Sequence, residues 1–337
     1  MNKVFQRLAL IGVGLFLSQG LSAQFQKVIG TSDGDHPTSL IPSSVSNDWI
    51  ITAKTYNSTT GNDGFVTSIN ANGNVNWSNR FNDPTNTHNE FNDAVFMPNG
   101  DLFVSGTDGT MNAQGAVILQ LNPATGSTIN QMKLSTPGVV ADFGENLILD
   151  ASGTNLVLTG RSGGSPHITR VNTGLTTTQS IIYDDFHGHY GYDIVTNNNV
   201  GALDGYVVAG NQFTSLGMRD GLVMNVRANG TIIWQKTYDI NPNGDEEFRS
   251  INKLSNGGGY VLTGYTNSAG AGQRDVLLVV LDNSGNVQYA STFGGTNSEE
   301  GVTAIQTADG GFAILGETYS FGHGQSDLYL IKVDAAG

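Results

Sequence analysis

Six apolar runs end in a glycine turn at nearly regular intervals, and this periodicity limits the folds open to the chain more than any other feature. The turns read INANG, LNPATG, VNTG, VRANG, LDNSG and VDAAG, with their glycines at Gly73, Gly126, Gly174, Gly230, Gly285 and Gly337. The spacings of 53, 48, 56, 55 and 52 residues mark repeats of one supersecondary unit, as in a propeller or solenoid. Asn-Gly, Ser-Gly and Thr-Gly supply the positive φ that a tight hairpin requires.

Each unit holds further runs in fixed order. A turn followed by a β-branched and aromatic run recurs as SNDWIITA (46–53), PNGDLFVSG (98–106), SGTNLVLTG (152–160), LDGYVVAG (203–210), SNGGGYVLTG (255–264) and ADGGFAILG (308–316). Such residues favour strands. The next run is nearly all apolar, as in DGFVTSIN (63–70), GAVILQLN (115–122), DGLVMNVR (220–227), DVLLVVLD (275–282) and DLYLIKVD (327–334). This reads as a strand covered on both faces, which a sheet held between two neighbouring sheets provides. The run after the marker glycine puts Trp77, Trp234 and Tyr289 in one repeated position, as packing between units would demand. No such run follows Gly337, but FQKVIGTSDGDH (25–36) aligns with residues 289–300 at a constant offset of 264. The expectation is an all-β chain of six four-stranded blades in one domain, residues 24–337. Residues 25–29 would pair with the strand around Tyr329 and close the ring, removing exposed edges.

These units resemble the tandem β-propeller repeats of secreted bacterial proteins, of the form D-G-G-[YF] … G-x-T … G-x-x-D … [KR]-x-D-x-x-G-N … W … G-G. The resemblance spans residues 25–337, is sharpest in the last two units, and is weakest over 141–187, where SPHITRVN replaces the Asp-led run. It implies a fold and an exported location but no single activity, since propellers host enzymes, glycan binders and scaffolds alike.

Destination and charge narrow the partners. Lys3 and Arg7 precede the apolar stretch LALIGVGLFL and the small residues before Gln24, the pattern of a secretory signal (1–23) cleaved after Ala23. That stretch is too short to span a membrane. The formal charge of −14 becomes −16 once Lys3 and Arg7 are removed, so phosphate backbones and anionic lipid are repelled. Nucleic acid and membrane insertion are therefore not expected, and the place of action is the periplasm or the cell surface. The chain has no cysteine, which excludes disulfides and thiol chemistry. Charged residues make up only 13% while glycine numbers 45, so few windows can form an amphipathic helix.

Candidate chemistry lies in the junctions. Asp63, Asp220, Asp275 and Asp327 each precede a third strand, where a carboxylate fixes its own turn by accepting backbone N–H groups. A second acidic set falls where one unit passes into the next. Asp35, Asn89, Glu90, Asp142, Asp245, Glu246, Glu247, Glu299 and Glu300 should gather at one mouth of a central channel, with Asp93 and Asp193 lining it. This is read as a solvated acidic rim, and converging carboxylates of this kind suit Ca²⁺. His187 and His189, after Asp184 and Asp185, form the densest group of metal-capable side chains, because His-x-His on a strand points both rings to one face. Tyr56, Phe213, Tyr265 and Tyr319 stand in or beside long Gly-rich loops and are the aromatic candidates for a glycan- or protein-binding face.

No G-x-S-x-G, H-E-x-x-H or G-x-x-x-x-G-K motif occurs. The preferred reading is an exported, non-catalytic binding or scaffolding propeller that engages an envelope protein or polysaccharide. No catalytic residue is assigned and no cofactor is required, Ca²⁺ being the one ion the acidic loops suit. The alternatives are a carbohydrate hydrolase or lyase using mouth carboxylates, and a Ca²⁺-stabilised structural module.

Overall fold

Short runs of β-branched and aromatic residues between glycine turns leave strand as the favoured state throughout. The computed structural model describes residues 34–335 apart from 45, 58–60, 82–87, 111–112, 135–141, 184–187, 199–203, 242 and 324–325, and these form 23 strands and no helix. The strands run as six antiparallel meanders, here called units. Unit 1 comprises β1 (Gly34–Pro42), β2 (Trp49–Asn57), β3 (Gly61–Ile69) and β4 (Val75–Phe81). Unit 2 comprises β5 (His88–Phe96), β6 (Leu102–Thr110), β7 (Ala113–Leu121) and β8 (Thr128–Leu134). Unit 3 comprises β9 (Asp142–Leu149), β10 (Asn155–Ser162), β11 (Ser165–Asn172) and β12 (Thr177–Ile182). Unit 4 comprises β13 (His189–Thr196), β14 (Gly205–Phe213), β15 (Arg219–Arg227) and β16 (Ile232–Tyr238). Unit 5 comprises β17 (Glu246–Lys253), β18 (Gly259–Thr266), β19 (Asp275–Asp282) and β20 (Val287–Phe293). Unit 6 has three strands, β21 (Glu299–Gln306), β22 (Phe312–Thr318) and β23 (Asp327–Val333).

Against the expected six separate sheets, the described strands form five, because units 1 and 2 share one of eight strands. The link is a single parallel pair, Asn62 with His88. Arg274 and Ser298 make the equivalent isolated pair between units 5 and 6, so this contact is a latch between neighbouring units and not a continuous sheet. Residues 25–29, expected to complete unit 6, lie outside the described residues.

The core sits between units. Five apolar clusters each join one meander to the next: Ile50, Val66 and Trp77 with Phe91, Leu102 and Leu119, and so on to Val261, Leu278 and Val280 with Phe312 and Ile314. Third strands β15 and β19 are buried along nearly their whole length, as an apolar run between two covering sheets should be. β23 departs from this, with Leu328 and Leu330 74% and 69% exposed. Among the described residues no apolar cluster joins unit 6 to unit 1, and Val302, Ile305, Leu315, Leu40 and Trp49 are also exposed.

The marker glycines do two jobs. Gly126 and Gly285 turn their hairpins at φ near +70°, and each also receives an aromatic ring of the preceding unit. Trp77 packs on Gly126 and donates from Nε1 to Pro123 O at 2.8 Å, and Trp234 packs on Gly285 and donates to Asn283 O at 3.2 Å. The inter-unit role read for these tryptophans holds. In unit 3 the positive φ falls on Leu175 (56°), one residue beyond the marker Gly174, in the stretch where the repeat is most worn.

Candidate functional site

The glycine closing each second-strand run explains how the units build a site. Gly106, Gly160, Gly210, Gly264 and Gly316 lie where an added Cβ would fall 1.7–2.3 Å from the carbonyl oxygen of Glu90, Phe143, Tyr190, Glu247 and Glu300 respectively. That close approach accompanies a register shift in each inner strand, between Phe91 and Asp93, Gly191 and Asp193, Phe248 and Ser250, and Gly301 and Thr303. In β9 the same shift appears at Gly160 on the partner strand, and in unit 1, where Ala53 stands opposite Pro37, it lies between Pro37 and Ser39. A bulge leaves one residue unpaired and re-aims it. The six residues so placed are Thr38, Asn92, Glu145, Tyr192, Arg249 and Val302, and all six line one cavity of about 880 Å³.

Beside it, a second cavity of about 310 Å³ shares Asn92, Glu145, Tyr192 and Arg249 and adds Lys54, His88, Glu90 and Arg161. Burial raises the Glu145 carboxyl above its ordinary range, and Glu90 adds to this, although Arg161, Arg249 and Lys54 pull it down. Burial and the neighbouring Glu247 push the Tyr192 phenol well up. Around this mouth cations alternate with rings. The Arg161 guanidinium carbon lies 3.8 Å from the Phe143 centroid and 4.9 Å from that of Tyr190, Arg249 lies 5.0 Å from Tyr192, and Arg274 lies 4.2 Å from Tyr265.

The acidic rim expected from sequence is therefore a compensated network. Glu90 is held by Lys54 at 3.4 Å and Asn62 at 2.5 Å. Glu247 pairs with Arg249 at 2.6 Å and Arg219 at 3.8 Å, and accepts from the Tyr192 hydroxyl at 3.4 Å. Glu300 pairs with Arg274 and, at 3.9 Å, with Arg249. Glu299 is not on the rim at all. It is buried and accepts from Gly295 N, Ser320 N and the Thr318 hydroxyl, bonds that outweigh burial and hold its carboxyl below the usual range. Asp35 occupies the matching position at the start of β1.

Asp93 and Asp193 do line the larger cavity, and they tie units together. Asp93 accepts from Leu147 N at 3.1 Å and the Ser39 hydroxyl at 2.7 Å, and Asp193 accepts from Ile251 N at 2.8 Å. Burial pushes them up to about 6 and about 7. Of the paired histidines, His189 is buried at the head of β13, and His187 lies outside the described residues. Of the aromatic candidates, Tyr56 and Tyr319 are exposed, but Tyr265 is fully buried with its hydroxyl accepting from Arg219 at 2.8 Å. Phe213 packs edge-on against Tyr190 at 5.5 Å. The turn-fixing role suits Asp275, which accepts from Ala271 N and Gly272 N, and Asp327, which accepts from His323 N. Asp63 instead holds Arg80. Asp220 lies with Asp239 and Glu246, their oxygens within 4.8 Å of one another, away from both cavities.

Sequence reading missed Glu145, Arg161, Tyr192 and Arg249. The available signal was the column Thr38, Asn92, Glu145, Tyr192, Arg249 and Val302, which changes chemical class in every unit while its neighbours repeat.

No protein-family model matches the chain, and no curated protein does. Solved structures do. Hydrazine synthase of Kuenenia stuttgartiensis is 14% identical, with a TM-score of 0.58 over 88% of this chain and 80% of that one. The periplasmic gluconolactonase PpgL of Pseudomonas aeruginosa is 11% identical, with a TM-score of 0.56 over 90% of each chain. Chaetomium thermophilum Sqt1, solved bound to the N-terminus of ribosomal protein L10, is 9% identical, with a TM-score of 0.50 over 84% of this chain and 68% of that one. The likeness is one of fold alone. It sets the chain among propeller-like all-β proteins, which include both enzymes and binding scaffolds.

Proposed function

We propose that this protein is an exported β-propeller that binds a polysaccharide at its axial mouth and does not turn it over. The observation that carries this reading is the convergence of one bulged side chain from each of six inner strands on a single cavity of about 880 Å³, where Thr38, Asn92, Glu145, Tyr192 and Arg249 stand among apolar residues. Concave sites with a few convergent polar groups are where small ligands bind, and here the groups differ from unit to unit while the scaffold repeats. A folded protein partner would need a broader contact surface than a concave basin offers. Export rests on the leader-like residues 1–23, and action follows in the periplasm or at the cell surface.

The ring closes through unit 6. Residues 25–29 stand as far before Asp35 as residues 289–293 stand before Glu299, and on this reading they would supply the fourth strand that unit 6 lacks among the described residues. The exposed faces bearing Leu315, Leu328 and Leu330 then meet those bearing Leu40 and Trp49, ending an exposure that would otherwise invite association. Ca²⁺ is not required, because most of the rim carboxylates are already engaged by Lys, Arg or backbone N–H groups.

A glycan array with the mature protein tests the reading, with Arg249→Ala as the control for the axial site. Binding of a polysaccharide that weakens in Arg249→Ala supports it; retention of an envelope protein with no glycan signal contradicts it. Glu145 favours one alternative, a carbohydrate hydrolase or lyase, since a cavity-lining carboxyl whose pKa burial raises suits a general acid. Release of reducing ends from the bound glycan, lost in Glu145→Gln, would replace binding with catalysis.

A further inference from the structure

Among the described residues, five cations stand at this mouth; four have a carboxylate partner there and one does not. Lys54 pairs with Glu90, Arg219 and Arg249 with Glu247, and Arg274 with Glu300. Arg161 makes no ion pair and no hydrogen bond among the described residues, and its Nε is buried without a partner. It is nonetheless held in place, its guanidinium carbon 3.8 Å from the Phe143 ring centroid and 4.9 Å from that of Tyr190. Glu145, on the adjoining strand, faces the same 310 Å³ cavity and likewise has no hydrogen bond among those residues. The two feel each other electrostatically yet stay beyond ion-pair distance. Leaving an arginine and a glutamate apart in a part-buried site is costly unless something fits between them.

We infer that the axial basin is selective for acidic saccharides, with Arg161 taking a uronate carboxylate and Glu145 the hydroxyls of the same residue. This rests on the binding reading above and names its ligand class. A guanidinium held against aromatic rings keeps its N–H fork free to match a carboxylate. The stacking also fixes the side chain beforehand, which lowers the entropic cost of binding. Asn92, Thr107 and Tyr192 complete the lining with groups that suit hydroxyls. Lys54, Arg161 and Arg249 against Glu90 and Glu145 leave the basin one positive charge in excess, within a chain of net charge −14. The basin opens into the larger cavity through four shared residues, which gives a chain-like ligand room to continue.

Isothermal titration of the mature protein with trigalacturonate and with the neutral galactotriose, at pH 7 and low salt, tests this. Trigalacturonate is expected to bind at least about tenfold more tightly. Arg161→Met should weaken it by about thirtyfold and leave galactotriose unchanged, whereas Arg161→Lys should recover only part of the loss because the fork is gone. Arg161 has no ion pair to break, so its variants should melt with the parent; Glu145→Gln, which should weaken both trimers, serves as a second probe. Equal affinity for the two trimers, or an Arg161→Met variant that binds trigalacturonate like the parent, overturns the inference while leaving axial glycan binding intact. Failure of both trimers to bind overturns the inference and the binding reading together.

Discussion

Stability should rise as the solution is acidified from about pH 8 to about pH 5, with Asp193 and Asp93 among the contributors. Asp193 is pushed from its ordinary 3.8 up to about 7, and Asp93 from 3.8 up to about 6, burial being the main cause in both. Each folded value lies above the unfolded one, so between about pH 4 and pH 7 the native state holds more protons than the unfolded chain. Stability then falls as pH climbs through that window and is regained below it. At about 1.4 kcal/mol per pH unit, Asp193 would cost ~4 kcal/mol at pH 8 and Asp93 ~3 kcal/mol. Both carboxyls border the cavity, and water there will reduce these figures by roughly half. Asp193→Asn keeps an acceptor for Ile251 N and removes the charge. It should therefore be more stable than the parent by ~2 kcal/mol at pH 8, an advantage that shrinks to ~1 kcal/mol or less at pH 5 and vanishes only near pH 4. Urea unfolding of both proteins at half-unit steps from pH 5 to 8 reads this directly. A parent that loses stability on acidification from pH 8 to 5.5, or a variant offset by the same amount at every pH, would refute the reasoning.

Gly264→Ala places a Cβ 1.8 Å from Glu247 O and should destabilise by ~2 kcal/mol in chemical denaturation, consistent with overpacking, while weakening any axial ligand because Arg249 is re-aimed. Trp77→Ala empties a pocket against Gly126 and strands Pro123 O, so a loss of ~3–5 kcal/mol is expected, with Trp77→Phe intermediate. Glu299→Gln should cost ~1–3 kcal/mol at pH 7. Because the Glu299 carboxyl is held below its ordinary 4.5, that difference is present above the ordinary value and disappears as pH falls through the folded one; a cost that grows on acidification would contradict the assignment. Addition of a chelator should leave the melting midpoint unchanged, and a fall of several degrees would restore Ca²⁺ to the structure.

Much of the architecture is written in local rules that a single unit displays. Gly126 and Gly285 announce hairpins because only positive φ closes them, and the run of β19 announces double burial because no polar residue interrupts it. Trp77 and Trp234 reveal inter-unit packing by holding one repeated position. The site is harder to read because it depends on what neighbouring units contribute to it. Glu90, Glu247 and Glu300 read as an acidic rim in one dimension, yet Arg219 and Arg274 reach them from the preceding unit and Arg249 from along the same strand. Tyr265 reads as a loop aromatic, but it ends a strand whose outer face is covered by Arg219 and Arg274. Glu145 and Tyr192 escape notice because a bulge reverses the side on which they emerge, and the bulge is signalled only by a glycine on the neighbouring strand.

Hydrogen exchange followed by mass spectrometry, on the mature protein with and without trigalacturonate, tests axial binding most directly. Protection gained in the inner strands β5, β9, β13 and β17, with the outer strands β8, β12, β16 and β20 unchanged, is the result expected if ligand seats on the bulged residues. Protection confined to the outer strands, or to the loops around Tyr56 and Tyr319, would place the ligand elsewhere and contradict an axial site.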